Sequence, residues 1–187
     1  MTKKEYRDKY KQLRREIQSE DLENQSVAIA NNVMSLPIWN KDYFHVFLPI
    51  ESQNEVNTET ILHLLMGKNK HIVISKSDFD TMKMHNYLLE DDTVIRKNDY
   101  GIPEPINGRA IDSLLIDVVV VPLLAFDLNG HRIGYGKGFY DRFLSTCRAD
   151  VVKIGLSFFE AEESFSDIHT ADILLNYCVT PKKVYRF

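Results

Sequence analysis

The stretch that decides the fold is L-L-I-D-V-V-V-V, which runs from Leu114 to Val121. Only Asp117 interrupts its apolar character, and its second half is four consecutive valines. A strand without alternation of apolar and polar residues is usually covered on both faces, as in a parallel sheet. We therefore predict a buried strand over Leu114–Val121 with further layers on both sides of it.

Alternating helix and strand patterns flank this strand. The predicted helices are Lys3–Gln18, a second from Ser19 to Pro37, Thr58–Met66 and Phe139–Cys147. The predicted strands are Tyr43–Pro49, His71–Ser75, Met84–Leu89, Thr93–Ile95, Val151–Ser157 and Ile173–Leu175, with Gly101–Pro105 as an irregular loop. This alternation predicts an α/β fold, a three-layer α/β/α arrangement with a largely parallel central sheet. We expect residues 1–187 to form a single domain.

Composition excludes several classes of protein. Hydrophobic residues make up 44% and charged residues 27% of the 187, which is typical of a globular chain. No apolar run reaches the roughly 18 residues of a membrane helix. The two cysteines, Cys147 and Cys178, form no C-x-x-C pair, and the first residues lack a secretory apolar core. We expect a cytoplasmic protein with no membrane partner, and a monomer is the working expectation.

The charge is unevenly distributed along the chain. The first 15 residues hold seven basic and two acidic side chains, so the rest must carry −9 to reach the net −4. On the first predicted helix, Lys3, Arg7, Lys11 and Arg14 form a basic stripe beside an apolar one. A basic surface on an acidic protein favours a small anionic partner and argues against nucleic acid.

The segment R-I-G-Y-G-K-G-F-Y-D, Arg132–Asp141, carries the chemistry. Its alternating glycines let the backbone take positive φ values and bring its N–H groups close to a ligand, and the helix that follows presents unpaired N–H donors to phosphate. Arg132 and Lys137 add full charges, and Asp141 is placed to hold a divalent cation. The spacing matches neither the Walker A nor the dinucleotide-binding pattern. A phosphate-binding turn and a flexible connection with solvated charges therefore both remain open. We call Gly134–Phe139 the glycine turn.

This segment, together with V-V-P-L-L-A-F-D at Val120–Asp127, resembles the signature of the 5-formyltetrahydrofolate cyclo-ligase family. Weaker matches follow in the same order as in that family: L-R at Leu13-Arg14, N-E-V-N-T-E at Asn54–Glu59, P-E-P at Pro103–Pro105 and A-D-I-L-L at Ala171–Leu175. The resemblance implies an enzyme that uses ATP and Mg²⁺ to convert 5-formyltetrahydrofolate into 5,10-methenyltetrahydrofolate, with release of ADP and phosphate.

The resemblance also implies roles for individual residues. Arg132 and Lys137 would be catalytic, Asp141 and Asp172 would hold Mg²⁺, and Ile50, Glu55 and Tyr140 would bind the folate. The implied ATP-binding residues are Lys11, Arg14, Arg132, Gly134, Tyr135, Gly136, Lys137, Gly138, Phe139 and Tyr140.

The residues themselves leave some of these assignments open. Glu55 could instead be a charge at a helix N-terminus, Asp172 a solvated residue at a strand edge, and Tyr140 part of the core. Tyr10 stands where the family has a first-helix lysine, which Lys11 would replace, and Tyr135 stands where many members have arginine.

Two other function classes remain open alongside the ligase. A non-catalytic protein that binds folate or a phosphorylated ligand would keep the glycine turn without releasing phosphate. A sugar-phosphate isomerase would need no ATP. The sequence has no G-x-S-x-G elbow and no histidine pair with zinc-ligand spacing, which disfavours serine hydrolases and zinc enzymes.

Overall fold

The computed structural model describes all 187 residues and contains four α-helices and eleven β-strands. The helices are α1 (Lys3–Arg15), α2 (Ser19–Val33), α3 (Glu59–Gly67) and α4 (Phe139–Thr146). The strands are β1 (Tyr43–His45), β2 (His71–Asp78), β3 (Lys83–Leu88), β4 (Ile95–Lys97), β5 (Pro103–Pro105), β6 (Val118–Pro122), β7 (Ala125–Phe126), β8 (Arg132–Ile133), β9 (Val152–Leu156), β10 (Tyr177–Val179) and β11 (Val184–Arg186). All four helices fall short of the length and apolarity that a membrane crossing requires.

Seven strands form the central sheet in the order β11-β10-β9-β6-β1-β2-β3. The five inner strands run parallel to one another, and only the edge strands β3 and β11 are antiparallel to their neighbours. The four valines lie in β6, the middle strand of the sheet. The predicted α/β fold with a largely parallel sheet is therefore confirmed.

The valines of β6 divide the core between the two faces of the sheet. Val118 and Val120 pack in the cluster that contains residues of α2 and α3, whereas Val119 and Val121 pack in the cluster that contains residues of α4. Successive side chains of a strand point to opposite faces, so an unbroken apolar run is needed where both faces are covered. Helices on both faces give the three layers.

Helix α1 lies apart from these two layers. A capping box of Thr2 and Glu5 begins it, and Tyr6 and Tyr10 pack with Leu124, Ala125, Ile133 and Phe165 around the β7–β8 hairpin. This packing lays the helix beside the carboxyl end of β6, because the hairpin follows that strand directly. The first residues of the chain are thereby brought close to the glycine turn.

Several predicted elements differ from the structure. The strand predicted over Leu114–Val121 begins only at Val118, because Ser113–Leu115 is a 3-10 helix in which Leu114 and Leu115 are exposed. Ile173–Leu175 is not a strand, because its backbone pairs with loops: the Leu175 N–H donates to the Gly130 carbonyl, and the Ile173 carbonyl accepts from Arg132. The last two strands, β10 and β11, follow it instead. The loop predicted over Gly101–Pro105 contains β5, which pairs with β4 in a separate two-stranded sheet where prolines are tolerated.

Candidate active site

A cavity of about 620 Å³ opens at the carboxyl ends of the central parallel strands. Residues His45 at the end of β1, Ser75 and Ser77 in β2 and Pro122 at the end of β6 line it, together with the glycine turn. This is the position where open α/β sheets bind ligands. Helix α1 closes one side of the cavity with Lys3 and Arg7.

The glycine turn has the backbone that its sequence predicted. Gly136 and Gly138 have φ values of 94° and 68°, which glycine adopts without strain, and Gly138 is the N-cap of α4. A Cβ on Gly136 would lie 3.0 Å from the Arg7 guanidinium carbon, so the absence of a side chain lets the arginine approach. Arg7 Nε donates to the Gly134 carbonyl at 3.0 Å. The turn is thus held against a cation from α1.

Both aspartates that were expected to bind metal line the cavity, and each is paired with a cation of the protein. Arg132 Nη2 lies 2.7 Å from Asp141 Oδ1, and Lys3 Nζ lies 2.6 Å from Asp172 Oδ2. Burial acts to raise the pKa of Asp172, but hydrogen bonds from Lys3 and the His169 N–H outweigh it and lower that pKa. A carboxylate hydrogen-bonded in this way is the ionised form that a hard divalent cation requires.

No group of three or more His, Cys, Asp or Glu side chains is arranged to hold a metal ion. The chain therefore offers Asp141 and Asp172 as its oxygen ligands in the cavity, and further ligands would have to come from phosphate oxygens and water. That division suits Mg²⁺, which usually keeps several waters and takes one or two carboxylates along with substrate phosphates. The donor set fits the cation that the resemblance implied.

Glu55 is buried and also lines the cavity. The residue is only 4% exposed. Its Oε2 accepts a hydrogen bond from the Ile50 N–H at 2.7 Å, and its Oε1 accepts one from the Tyr135 hydroxyl at 2.7 Å. Burial raises the pKa of Glu55, while Ile50, Arg14 and Tyr135 act to lower it. The carboxylate makes no capping hydrogen bond to α3. Each oxygen keeps a lone pair for a ligand donor.

Ile50 and Tyr140, the other residues expected to contact folate, also line the cavity. Tyr140 lies edge-to-face with His45 at a centroid distance of 6.0 Å, so it is at once a core residue and a cavity residue. Burial raises the pKa of Tyr140, which keeps its hydroxyl protonated. The ligand and core interpretations of Tyr140 are therefore compatible.

The structure places Arg14 and Lys11 away from the cavity. Arg14 is 3% exposed and donates to the Leu123 carbonyl and the Tyr135 hydroxyl, while Lys11 lies beside the Tyr135 ring. Neither lines the cavity. The structure therefore gives no support to their expected contact with phosphate, which stays a prediction. Arg14 lies away from the cavity lining because it continues the buried row of Tyr6 and Tyr10 in steps of four residues, and that row faces the β7–β8 hairpin.

Lys3 and Arg7 take the positions that were expected for Lys11 and Arg14. They are four residues apart on the basic stripe of α1, so they share one face of the helix. The sequence predicted the basic stripe. Which of its residues reach the cavity depends on how α1 packs against the rest of the fold. Lys3 stands four residues before the cavity arginine Arg7, which is the spacing that was expected between the lysine and the arginine of the first helix.

A buried polar chain at the floor of the cavity was missed in the sequence. His45 Nε2 lies 2.7 Å from Ser75 Oγ, which donates to Asn86 Oδ1 at 2.7 Å. Burial lowers the pKa of His45 to about 3, so the ring is neutral. The three residues meet because β1, β2 and β3 are neighbours and Ser75 is opposite Asn86. Strand register is not readable from the sequence, and no local signal marks this chain.

The fold and site define an α/β protein whose ligand cavity, at the ends of its parallel strands, combines a glycine turn, cations and carboxylates. The profile described as the 5-formyltetrahydrofolate cyclo-ligase family matches residues 1–161. The chain belongs to this family.

Individual relatives agree with the family match. A probable 5-formyltetrahydrofolate cyclo-ligase of Schizosaccharomyces pombe is 29% identical over 181 residues, which cover 88% of each chain. The 5-formyltetrahydrofolate cyclo-ligase of Mus musculus is 29% identical over 153 residues, covering 78% of this chain and 74% of its own. The solution structure of Aquifex aeolicus 5,10-methenyltetrahydrofolate synthetase superposes with a TM-score of 0.84 at 28% identity, over 100% of this chain and 93% of the other.

Proposed function

We propose that this chain is an ATP- and Mg²⁺-dependent cyclo-ligase that converts 5-formyltetrahydrofolate into 5,10-methenyltetrahydrofolate, with release of ADP and phosphate. The observation that carries the proposal is the Tyr135–Glu55 hydrogen bond of 2.7 Å. It joins the glycine turn to a buried carboxylate, so a phosphate site and a pterin site share one cavity. A kinase-like transfer from nucleotide to folate needs that adjacency.

At the phosphate end, the protein supplies positive charge and N–H donors. Arg7, Arg132 and Lys137 line the cavity around the glycine turn, and Lys3 lies beside them. Phosphoryl transfer depends mainly on positioning and on neutralising charge, so these groups suffice without a covalent intermediate on the protein. In this proposal Arg132 and Lys137 neutralise charge on the transferring phosphoryl group, while the backbone N–H groups of Gly134–Tyr140 bind the phosphates.

Asp141 and Asp172 would hold Mg²⁺ together with the nucleotide. The cation supplies neutralisation of phosphate charge when it is bound. Arg132 and Lys3 each engage one oxygen of their aspartate, so the second oxygens, Asp141 Oδ2 and Asp172 Oδ1, make no hydrogen bond. In this proposal the cation takes the place of Arg132 and Lys3 at the aspartates, and both side chains then become available to phosphate oxygens. The ion pairs of the free protein thus keep the carboxylates and the cations near the place where we propose that phosphate binds.

At the folate end, Glu55 would accept two hydrogen bonds from the amino group and ring N–H of the pterin. Ile50 and Tyr140 would pack beside the ring. The formyl oxygen then attacks the terminal phosphorus of ATP, and ADP leaves. N10 adds to the activated carbon, phosphate leaves with the former formyl oxygen, and the N10 proton is released. The phosphorylation is needed because hydroxide is a poor leaving group.

A single assay tests the proposal. Purified protein is mixed with 5-formyltetrahydrofolate, ATP and Mg²⁺, and near-ultraviolet absorbance and ADP are followed together, because the methenyl product carries a conjugated amidinium. The expected result is a rise in absorbance with one ADP formed per product, and no rise when either ATP or Mg²⁺ is omitted.

The same assay separates the other function classes. A rise without ATP would contradict the ligase proposal, and so would folded protein that binds folate tightly but forms no ADP. The second result would instead support a folate-binding protein. Replacement of Lys137 by Met tests the assigned charge: turnover should fall at least tenfold, whereas an exposed lysine away from the cavity, Lys68, should tolerate the same replacement.

A further inference from the structure

Tyr135 belongs to the glycine turn by its backbone but not by its side chain. Its neighbours Gly134 and Gly136 both contact Arg7 at the phosphate end of the cavity. Its hydroxyl lies 2.7 Å from Glu55 Oε1 and 2.7 Å from Arg14 Nη1. The side chain is therefore committed to the pterin end.

The direction of these hydrogen bonds follows from the groups involved. An arginine has only donors, so the Tyr135 oxygen must accept from Arg14. The phenol hydrogen is then free to point at Glu55, which as a carboxylate has only acceptors. Burial and the nearby Glu55 raise the pKa of Tyr135, so the hydroxyl keeps this hydrogen at neutral pH. Arg14 thus donates to Tyr135, and Tyr135 donates to Glu55. We call this chain of two hydrogen bonds the relay.

The far end of the relay is fixed by other elements. The Leu123 carbonyl accepts from Arg14, and Asn54 Nδ2 donates to the Arg14 carbonyl at 2.8 Å. Ile50 holds the second oxygen of Glu55 through its N–H. With both ends anchored, the phenol sets the plane of the carboxylate, which a bidentate contact with a ligand requires.

From these contacts we infer that Tyr135 is a positioning residue for folate binding. Arg14 holds the Tyr135 hydroxyl, and this hydroxyl orients Glu55 toward the folate. The Tyr135 side chain is then not a phosphate ligand. The inference rests on the proposed function, because it assigns the pterin to Glu55. It gives Arg14 and Tyr135 a role in folate binding instead of the phosphate contact that the resemblance implied.

The test is the variant Tyr135→Phe, which removes only the hydroxyl. Loss of one hydrogen bond to a charged group should raise the KM for 5-formyltetrahydrofolate about tenfold. The KM for ATP and kcat should stay within about twofold. Tyr177→Phe is the matched control, since Tyr177 lies in β10 outside the cavity and should leave all three parameters unchanged.

The pH profile gives a readout that a merely structural role would not move. The titratable and charged groups around Glu55 are Arg14 from α1, Tyr135 from the glycine turn and Tyr140 from α4. Because the phenol lowers the pKa of Glu55, its removal should move the acid limb of kcat/KM for folate to higher pH. An enzyme-free blank at each pH corrects for cyclisation in solution.

Several outcomes would overturn the inference. A raised KM for ATP with an unchanged KM for folate would return Tyr135 to the phosphate site, and unchanged values for both would leave it without a role. If Tyr135→Phe does not fold, Arg14→Lys serves instead, because a shorter side chain should lose the phenol and raise the folate KM alone. An effect of Arg14→Lys on the ATP KM alone would equally contradict the relay.

Folate binding measured by calorimetry without ATP separates this inference from the proposed function. The proposed function fails if the unmodified protein does not turn over. The relay fails if Tyr135→Phe binds folate as tightly as the unmodified protein does, whether or not turnover is seen.

Discussion

We assign one part of the cavity, the phosphate end, to the nucleotide and another, the pterin end, to the folate, and these two parts hold their charges in different ways. At the phosphate end, Lys3–Asp172 and Arg132–Asp141 are ion pairs, and the aspartate side chains are 22% and 36% exposed. At the pterin end, Glu55 is almost fully buried and accepts from a backbone N–H and a phenol, with no ion pair. The aspartates of these pairs are open to a competing cation although Lys3 and Arg132 are only 15% and 7% exposed, whereas a fully buried carboxylate is intolerant of lost donors. The phosphate end is therefore suited to exchanging one cation for another, and the pterin end is suited to binding a ligand with fixed hydrogen bonds.

The largest effect on activity that tests this comparison is expected from a substitution of Glu55. The variant Glu55→Gln should lower kcat/KM for folate about 100-fold, because hydrogen bonds to a charged group contribute about 1.5–3 kcal/mol each. The KM for ATP should stay within about twofold. Steady-state kinetics measure both, and Glu51→Gln is the control, since Glu51 is exposed on the neighbouring turn. A selective loss of ATP affinity in Glu55→Gln would contradict the assignment of Glu55 to the folate.

The second effect concerns the phosphate end. Arg7→Ala should raise the KM for ATP about tenfold, because it removes a charge-assisted contact from the cavity and leaves the folate end untouched. Arg15→Ala, on the exposed side of the same helix, is the matched control and should change nothing. If Arg7→Ala leaves ATP binding intact, α1 does not supply the phosphate contact that its position indicates.

Some of these features could be predicted from the sequence and others could not. The four valines of β6 predicted a doubly covered strand, and the glycines predicted the positive-φ turn, because both signals are local. Arg7 could not be chosen over Arg14, since both lie on one basic stripe and the choice depends on the packing of Tyr6 and Tyr10 on a distant hairpin. The His45–Ser75–Asn86 chain depends on strand register, which is non-local in the same sense.

The third effect is a pH dependence of stability that separates the two ends. Burial raises the pKa of Glu55 above that of the unfolded chain, so the folded state binds more protons between the two values. The free energy of unfolding contributed by this group therefore falls as pH rises through that window. Denaturant titrations at several pH values should show the unmodified protein losing stability relative to Glu55→Gln as pH rises. A parallel pH dependence of the two proteins would contradict the assignment.

The smallest effect is expected at the Lys3–Asp172 pair. Lys3→Met should lower the free energy of unfolding by no more than about 1 kcal/mol, since ion pairs near the surface contribute little and added salt screens them. Lys4→Met, one position along on the exposed side of α1, controls for loss of charge in the helix.

The pH dependence of the Lys3→Met difference has the opposite sign to that of Glu55. The Lys3 hydrogen bond helps to hold the pKa of Asp172 below its usual value, so the stabilisation is present above that value and disappears as pH falls through the lowered pKa. The variant and the unmodified protein should then converge in acid. A loss of several kcal/mol that salt does not reduce would mean that the pair is rigid. The phosphate end would then be as fixed as the pterin end, and a cation could not displace Lys3 from Asp172 at little cost.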